Sequence, residues 1–132
     1  MKTSIRLIAV IVALVGYRGV TEAQQPTKVP RIANLIGAPL SATSARIEAF
    51  RQGLRELGYV EGKNIVIELR FAEGKLDRLP ALAAELVRLK VDIIVTAGPP
   101  ATRAAKAATT TIPVVMAQDS DPVGNGFIAS LA

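Results

Sequence analysis

The sequence predicts an α/β protein built on a parallel, doubly wound sheet. Short apolar runs alternate with amphipathic runs of helical period, the connections between them are short, and the chain shows neither an internal repeat nor a low-complexity linker. Parallel strands need crossover connections, and right-handed crossovers place helices on both faces of a sheet. The predicted order is therefore β-α-β-α-β-α-β-α.

The first predicted strand is the short apolar run Arg31–Ile36. The helix after it is expected to begin at a Ser44 cap and to run to about Leu57, with Gly58 as a left-handed stop. Apolar residues recur along this segment at spacings of three and four, which is one face of a helix. That face consists of Ile47, Phe50, Leu54 and Leu57.

The second strand and second helix follow a turn-rich connection. Charged residues alternate with apolar ones at the end of the predicted strand Ile65–Phe71. This alternation indicates that one face of the strand is exposed to solvent, as in a strand at the edge of a sheet. The helix is expected to begin at an Asp77 cap, with Pro80 in its first turn, where the missing N–H costs little. Its apolar face consists of Leu79, Leu82, Ala83, Leu86 and Leu89.

The remaining elements complete the alternation. Asp92–Ala97 has the continuous apolar character of a parallel strand covered on both faces. An alanine-rich helix is predicted over Ala101–Ala108, and a fourth strand over Val114–Ala117. Residues 119–125 then read as a loop, and a last helix is expected to begin near Gly126.

The N-terminus has the pattern of a secretory signal. Lys2 and Arg6 precede the uncharged run Leu7–Val15, and small residues follow at the positions that a signal peptidase inspects. We therefore expect residues 1–23 to be a removable signal peptide and residues 24–30 to be a polar lead-in. A membrane anchor is the disfavoured alternative, because the run has nine residues and a spanning helix needs about 20.

Composition excludes several classes of function. The sequence has no Cys and no His, which excludes Cys–His and Ser–His catalysis and removes the usual ligands of zinc, copper and haem. Because no Cys follows the apolar run, a lipid anchor is also excluded, and a free periplasmic protein is expected. We predict no cofactor and no metal.

Charge argues against a nucleic-acid partner. Loss of the signal removes three positive charges and one negative charge from a net charge of +5, which leaves +3. The remaining basic residues are interleaved with Glu, as on a solvated surface, and do not form a nucleic-acid stripe.

Catalytic signatures are missing as well. The sequence contains neither a Gly-x-Gly-x-x-Gly after the first strand, nor a phosphate-binding loop, nor a Gly-x-Ser-x-Gly elbow. We therefore predict a protein that is not an enzyme.

Three predicted loops follow the carboxyl ends of strands, where sheets of this type bind ligands. The loops over residues 37–43 and 98–102 each precede a helix start, whose free N–H groups and hydroxyls suit a carboxylate or a phosphate. Ordinary helix capping by Thr43 or Ser44 is an equal alternative for the first loop.

The third of these loops, residues 118–124, carries two carboxylates. Asp119 and Asp121 have the chemistry to grip an ammonium group through charge-assisted hydrogen bonds. An Asx-turn, in which either carboxylate bonds the loop backbone, is an alternative of at least equal weight. Metal binding is disfavoured because no third acidic residue is near in sequence.

Five segments, in their order along the chain, resemble the TrpX-like (ABC_sub_bind) family of ABC transporter substrate-binding proteins. The resemblance spans residues 31–132, and the order and density of the segments make it specific. The segments are Glu48–Glu68 (EAFRQGLRELGYVEGKNIVIE), Asp77–Val87 (DRLPALAAELV), Val91–Val95 (VDIIV), Thr111–Val115 (TIPVV) and Asp121–Gly124 (DPVG).

The resemblance implies a type I periplasmic-binding-protein fold, in which two lobes close around a ligand. Members are receptors that pass solutes to a membrane permease, and some bind aromatic amino acids. Because members continue into a second lobe, residues 31–132 are expected to form a partial first lobe that is marginally stable alone. The implied partners are a small-molecule solute, with an amino acid as one candidate, and an ABC permease in the inner membrane. A monomer is expected.

The resemblance also implies a set of ligand-binding residues. An amino acid would suit them, with its carboxylate at a helix start and its ammonium near an Asp. A sensory ligand-binding module of the same fold is the alternative function. A flavodoxin-like enzyme or a response regulator is disfavoured, because no acidic residue ends the first strand. The implied residues are Pro39, Ser41, Thr43, Gly98, Pro99, Thr102, Asp119 and Asp121.

Overall fold

The computed structural model describes residues 28–129, so the predicted signal peptide and most of the lead-in lie outside the described residues. Strands and helices alternate along this part of the chain, as the sequence predicts. The elements are β1 (Arg31–Ile36), α1 (Leu40–Glu56), β2 (Val66–Phe71), a 3₁₀ turn (Leu76–Arg78), α2 (Leu79–Arg88), β3 (Ile93–Ala97), α3 (Pro99–Ala108) and β4 (Val114–Gln118).

The four strands form one parallel sheet in the order β2-β1-β3-β4. β1 pairs on both sides, so that Asn34 lies opposite Leu69 of β2 and Val95 of β3. The predicted parallel α/β fold is therefore confirmed, and β2 lies at an edge, as its alternating pattern indicates. The chain leaves β1 toward one side and returns to its other side, which makes the gap between β1 and β3 the topological switch point.

The main core lies between the sheet and the pair α2 and α3. Leu35 of β1, Leu86 of α2 and Ile94 of β3 are fully buried in it. Three alanines of α3 belong to the same cluster, and their small side chains let this helix approach the sheet closely. Strand side chains alternate between faces, so α1 packs on the opposite face, where its Ile47 is 5% exposed. None of the helices within residues 28–129 is both long and apolar enough to cross a membrane.

Helix α1 begins at Leu40, so the predicted Ser44 cap is wrong. Pro39 is the N-cap residue, with an extended backbone (φ −64°, ψ 152°) and no side-chain cap hydrogen bond. The pyrrolidine ring holds this φ and so presets the chain for entry into the helix. The residues between Leu40 and Ser44 contain no helix breaker, so the helix extends back to the proline.

Helix α2 also begins differently from its prediction. Asp77 lies within the 3₁₀ turn Leu76–Arg78, and Arg78 occupies the cap position without a side-chain cap hydrogen bond. The predicted Asp77 cap is therefore wrong. Pro80 lies in the first turn of the α-helix, as expected. The tighter 3₁₀ turn supplies the entry that a capping side chain would otherwise provide.

The helix predicted to begin near Gly126 is wrong over the described residues. Residues 122–126 form a turn and residues 127–129 form bends. The Asn125 N–H donates to the Asp121 carbonyl at 3.0 Å, and Gly126 adopts φ +72°, which is left-handed. Short turn bonds and a left-handed glycine interrupt helical propagation at this point.

The carboxylate of Asp92 links the start of β1 to the preceding residues through hydrogen bonds. It accepts a hydrogen bond from Lys28 Nζ at 2.8 Å and another from the Arg31 backbone N–H at 2.8 Å. The bond from Lys28, together with that from the Arg31 backbone, holds the pKa of the Asp92 carboxyl below its ordinary value.

We expect the free energy of unfolding of Asp92→Asn to fall less as the pH is lowered than that of the wild type. The pKa of Asp in an unfolded chain is about 3.9, and the folded pKa of Asp92 lies lower. Its stabilisation is therefore complete above the unfolded pKa and is lost as the pH falls through the folded pKa. Urea midpoints measured from neutral pH to below about pH 4 test this. Asp77→Asn removes the same charge from an exposed position, and equal profiles for both variants would contradict the assignment.

Candidate functional site

A crevice lies beyond the carboxyl ends of β1 and β3, at the topological switch point. It has a volume of about 420 Å³, and its walls come from the loops after β1 and β2, from the end of β3 and from the start of α3. The lining is apolar or backbone in character. It includes Gly37, Ala38, Pro39, Gly74, Leu76 and Pro100.

The loop after β2 is bonded directly to the loop after β1. The Ala72 N–H donates to the Ile36 carbonyl and the Gly74 N–H donates to the Gly37 carbonyl, each at 2.8 Å. A Cβ at Gly37 would lie 2.9 Å from Leu76 Cδ2, so a larger residue there would displace the side chain of this half-exposed leucine. The contribution of Gly74 and Leu76 was missed by the sequence reasoning. The Gly74 turn directly after the strand was the available signal.

The start of α1 opens on the crevice through Pro39. Because they lie in the first turn, the backbone N–H groups of Leu40 and Ser41 have no acceptor within the helix, and the helix dipole makes this end positive. The Ser41 side chain is exposed. Thr43 is only 6% exposed and donates its hydroxyl to the Pro39 carbonyl at 3.1 Å. Ser41 and the N–H groups are therefore available to a ligand, whereas the Thr43 hydroxyl bonds its own helix.

The start of α3 offers less to an anion than its position suggests. Gly98 is the N-cap, and the next two residues, Pro99 and Pro100, have no N–H. The Gly98 N–H donates to the Gln118 carbonyl at 3.0 Å. Thr102 is 0% exposed, so its hydroxyl has no surface to present to the crevice.

Asp119 and Asp121 organise the loop that they belong to. Asp119 Oδ1 accepts from the Asp121 N–H at 3.1 Å and from Asn125 Nδ2 at 3.0 Å. Asp121 Oδ1 accepts from the Gly124 N–H at 2.8 Å. The Asp119 bond to Asp121 has the spacing of an Asx-turn, and the Asp121 bond reaches the backbone three residues on. Asp119 Oδ2 is buried and has no partner in the described part of the chain.

The three predicted loops lie at the carboxyl ends of the parallel strands. The loop after β3 and the loop after β4 are adjacent, because their strands pair and Gly98 bonds Gln118. The structure thus places Pro39, Ser41, Gly98 and Pro99 at the helix starts, and the two aspartates in the loop after β4. As ligand contacts, all eight residues stay a prediction. Residues 28–129 contain no group of three or more acidic side chains placed to hold a metal ion.

A second concavity, of about 270 Å³, lies between α1 and the sheet. Arg46 of α1 donates to Gln118 Oε1 at 2.9 Å across it. Asn34 lines it from the central strand and is 5% exposed, and its Nδ2 has no hydrogen-bond partner among residues 28–129. This groove is separate from the crevice at the strand ends.

The sequence of the chain matches a family profile and a curated protein. A family profile described as ABC transporter substrate binding protein matches residues 31–132. A tyrosine-binding protein of Clostridioides difficile (strain R20291) is 33% identical over 84 residues, which cover 64% of this chain and 24% of that protein.

Solved structures share the fold. A conserved domain protein from Vibrio cholerae has a TM-score of 0.73 and 30% identity, covering 79% of this chain and 35% of that one. The ligand-free, open structure of a substrate-binding protein with adhesive properties from Clostridium difficile gives 0.70 and 29%, with 78% and 35% covered. An ABC domain from Streptococcus pneumoniae in complex with L-Trp gives 0.72 and 25%, with 79% and 35% covered. The chain thus spans about a third of the solved structures and about a quarter of the curated relative.

Proposed function

This chain belongs to the family of ABC transporter substrate-binding proteins, and from that premise we propose that its crevice holds one side of an amino-acid ligand. The matched region is a partial first lobe, since it corresponds to about 35% of each solved structure. The ligand would lie between this lobe and the remainder of a two-lobed protein.

One observation carries the proposal: a positive helix end opens on an apolar crevice. The free N–H groups at Leu40 and Ser41 suit a carboxylate. Leu76 and Pro100, which line the same crevice, suit a large apolar side chain. Together they match an amino acid with an aromatic or long aliphatic side chain. Two of the similar proteins point the same way, since one is called tyrosine-binding and another is a complex with L-Trp.

The remaining predicted residues take roles around this ligand. Gly98 and Pro99 would form the wall at the start of α3, and Pro39 and Thr43 would hold the first turn of α1 in place. Asp119 or Asp121 would face the ammonium group, since a carboxylate pairs with an ammonium through charge-assisted hydrogen bonds.

The wider role follows from the family and from the N-terminal pattern. We propose that the protein is exported by residues 1–23, works in the periplasm as a monomer, and delivers its solute to an ABC permease in the inner membrane. The observation in support is the basic and apolar N-terminal run, which is typical of a secretory signal. A solute receptor of this kind has no catalytic step.

The test is calorimetric titration of the protein expressed from its complete reading frame. We expect L-tryptophan, L-tyrosine or L-phenylalanine to bind saturably at one site, and L-alanine to bind more weakly because it buries less apolar surface. Failure of all three aromatic amino acids to bind would overturn the proposed ligand class.

Ser41→Asp is expected to weaken binding of the preferred amino acid by about tenfold or more, because the new carboxylate would repel the ligand carboxylate at close range. Ser44→Asp is the matched control. It adds the same charge on the same helix, about 4.5 Å further along the axis, and Ser44 is likewise exposed. Equal effects of the two variants on Kd would contradict a carboxylate site at the first turn.

A further inference from the structure

Two buried threonines form a hydroxyl chain beneath the Gly98 loop. Thr96 of β3 is 1% exposed and Thr102 of α3 is 0% exposed, and their Oγ1 atoms lie 2.7 Å apart. Thr102 Oγ1 also lies 3.2 Å from the Gly98 carbonyl oxygen. A carbonyl oxygen only accepts, so the Thr102 hydroxyl donates to Gly98 and the Thr96 hydroxyl donates to Thr102.

The loop needs this support because its backbone has few bonds of its own. Gly98 adopts φ +90° and ψ 158°, a conformation that is essentially restricted to glycine. Pro99 and Pro100 cannot donate hydrogen bonds. The Gly98 carbonyl accepts both the N–H and the hydroxyl of Thr102, each at 3.2 Å, and the Gly98 N–H donates to Gln118. Hydrogen bonds to both the N–H and the carbonyl of Gly98 therefore fix the orientation of this residue.

We propose that Thr102 is a positioning residue of the ligand crevice, which acts by bonding the Gly98 carbonyl and is itself oriented by Thr96. This inference rests on the proposed function and replaces direct ligand contact by the Thr102 hydroxyl with an indirect role. Ala97, Pro100 and Ala101 line the crevice on either side of the residue that is held. Rotation of the Gly98 peptide would displace this wall.

The test compares three variants by calorimetry with the aromatic amino acid that binds the wild type. Thr102→Val keeps the shape and the backbone N–H bond but loses the hydroxyl bond to the Gly98 carbonyl, and we expect Kd to rise about tenfold. Thr102→Ser keeps the hydroxyl and is expected to restore Kd to within about twofold. Thr96→Val removes the hydroxyl–hydroxyl bond and leaves the Gly98 bond, so it is expected to lower Tm while Kd stays within about twofold.

The changes in Kd across the three variants distinguish a role of Thr102 in positioning the Gly98 loop from a general contribution to stability. A purely structural role predicts that Thr102→Val and Thr96→Val change Kd alike, and that result would overturn the proposal. An unchanged Kd in Thr102→Val would overturn it equally.

A second measurement does not depend on the ligand. Amide hydrogen exchange of Gly98 in the unliganded protein is expected to accelerate several-fold in Thr102→Val but to change little in Thr102→Ser. If no amino acid binds the wild type, the proposed ligand class fails, and exchange at Gly98 still decides whether Thr102 holds the loop. Unchanged exchange in Thr102→Val would overturn the positioning role.

Discussion

Replacement of Gly98 by alanine is expected to lower the free energy of unfolding by about 1–3 kcal/mol and to weaken ligand binding. The backbone conformation of Gly98 (φ +90°, ψ 158°) is strained for any residue with a Cβ. Space is not the cause, because the nearest heavy atom to an added Cβ is Pro100 Cδ at 3.8 Å. Relief of the strain by rotation would break the bonds of Gly98 with Gln118 and Thr102.

Gly53→Ala is the matched control for this substitution. Gly53 lies inside α1, and an added Cβ there would meet no heavy atom within 4 Å. Alanine is favoured over glycine in a helix by about 1 kcal/mol, so this variant should gain stability. Urea unfolding monitored by circular dichroism measures both changes. Opposite signs are expected, and a stabilised Gly98→Ala would show that the left-handed loop is not required.

The strands were well predicted because their sequence signal is local. β1 has the predicted bounds, Arg31–Ile36, since a short apolar run ending at glycine leaves little choice. The alternation of Glu68 and Arg70 with apolar residues correctly indicated an edge strand. Short connections between such strands leave a right-handed parallel topology as the simplest arrangement.

Helix starts were predicted less well because a capping side chain, a proline or a 3₁₀ turn can each begin a helix. Ser44 and Asp77 have the right chemistry to cap a helix, but Pro39 and a 3₁₀ turn supply the entry instead. Sequence shows which residues can cap and does not show which backbone conformation precedes them. The helix predicted near Gly126 fails for a related reason, since turn bonds around Asp121 engage the backbone first.

The candidate site was predicted in part for the same physical reason. Loops after strands are visible in the sequence, but the neighbours of each strand are set by tertiary pairing. Gly74 and Leu76 enter the crevice because β2 pairs with β1 and its loop bonds Gly37. The burial of a side chain cannot be read from the sequence either. The hydroxyl of Thr102 was therefore expected at the surface, whereas it is buried in the structure.

Asn34→Val is expected to raise the free energy of unfolding by about 1 kcal/mol or more. Asn34 lies in the central strand, 5% exposed, with β2 on one side and β3 on the other. Its Nδ2 is buried without a hydrogen-bond partner within residues 28–129, and such a group carries an uncompensated desolvation cost. Valine removes that cost and also suits a strand better than asparagine. The groove beside it leaves room for the branched side chain.

Asn64→Ala is the contrasting control, because it removes an asparagine whose bonds are made. Asn64 Oδ1 accepts from the Val60 N–H at 2.6 Å, and Asn64 Nδ2 donates to the Gly58 carbonyl at 2.9 Å. Loss of these bonds should cost about 0.5–1.5 kcal/mol, although the turn is exposed. Urea midpoints of the two variants should therefore move in opposite directions. A destabilised Asn34→Val would mean that the amide of Asn34 is satisfied in the folded protein, and the groove on the α1 face would then be the place to look for its partner.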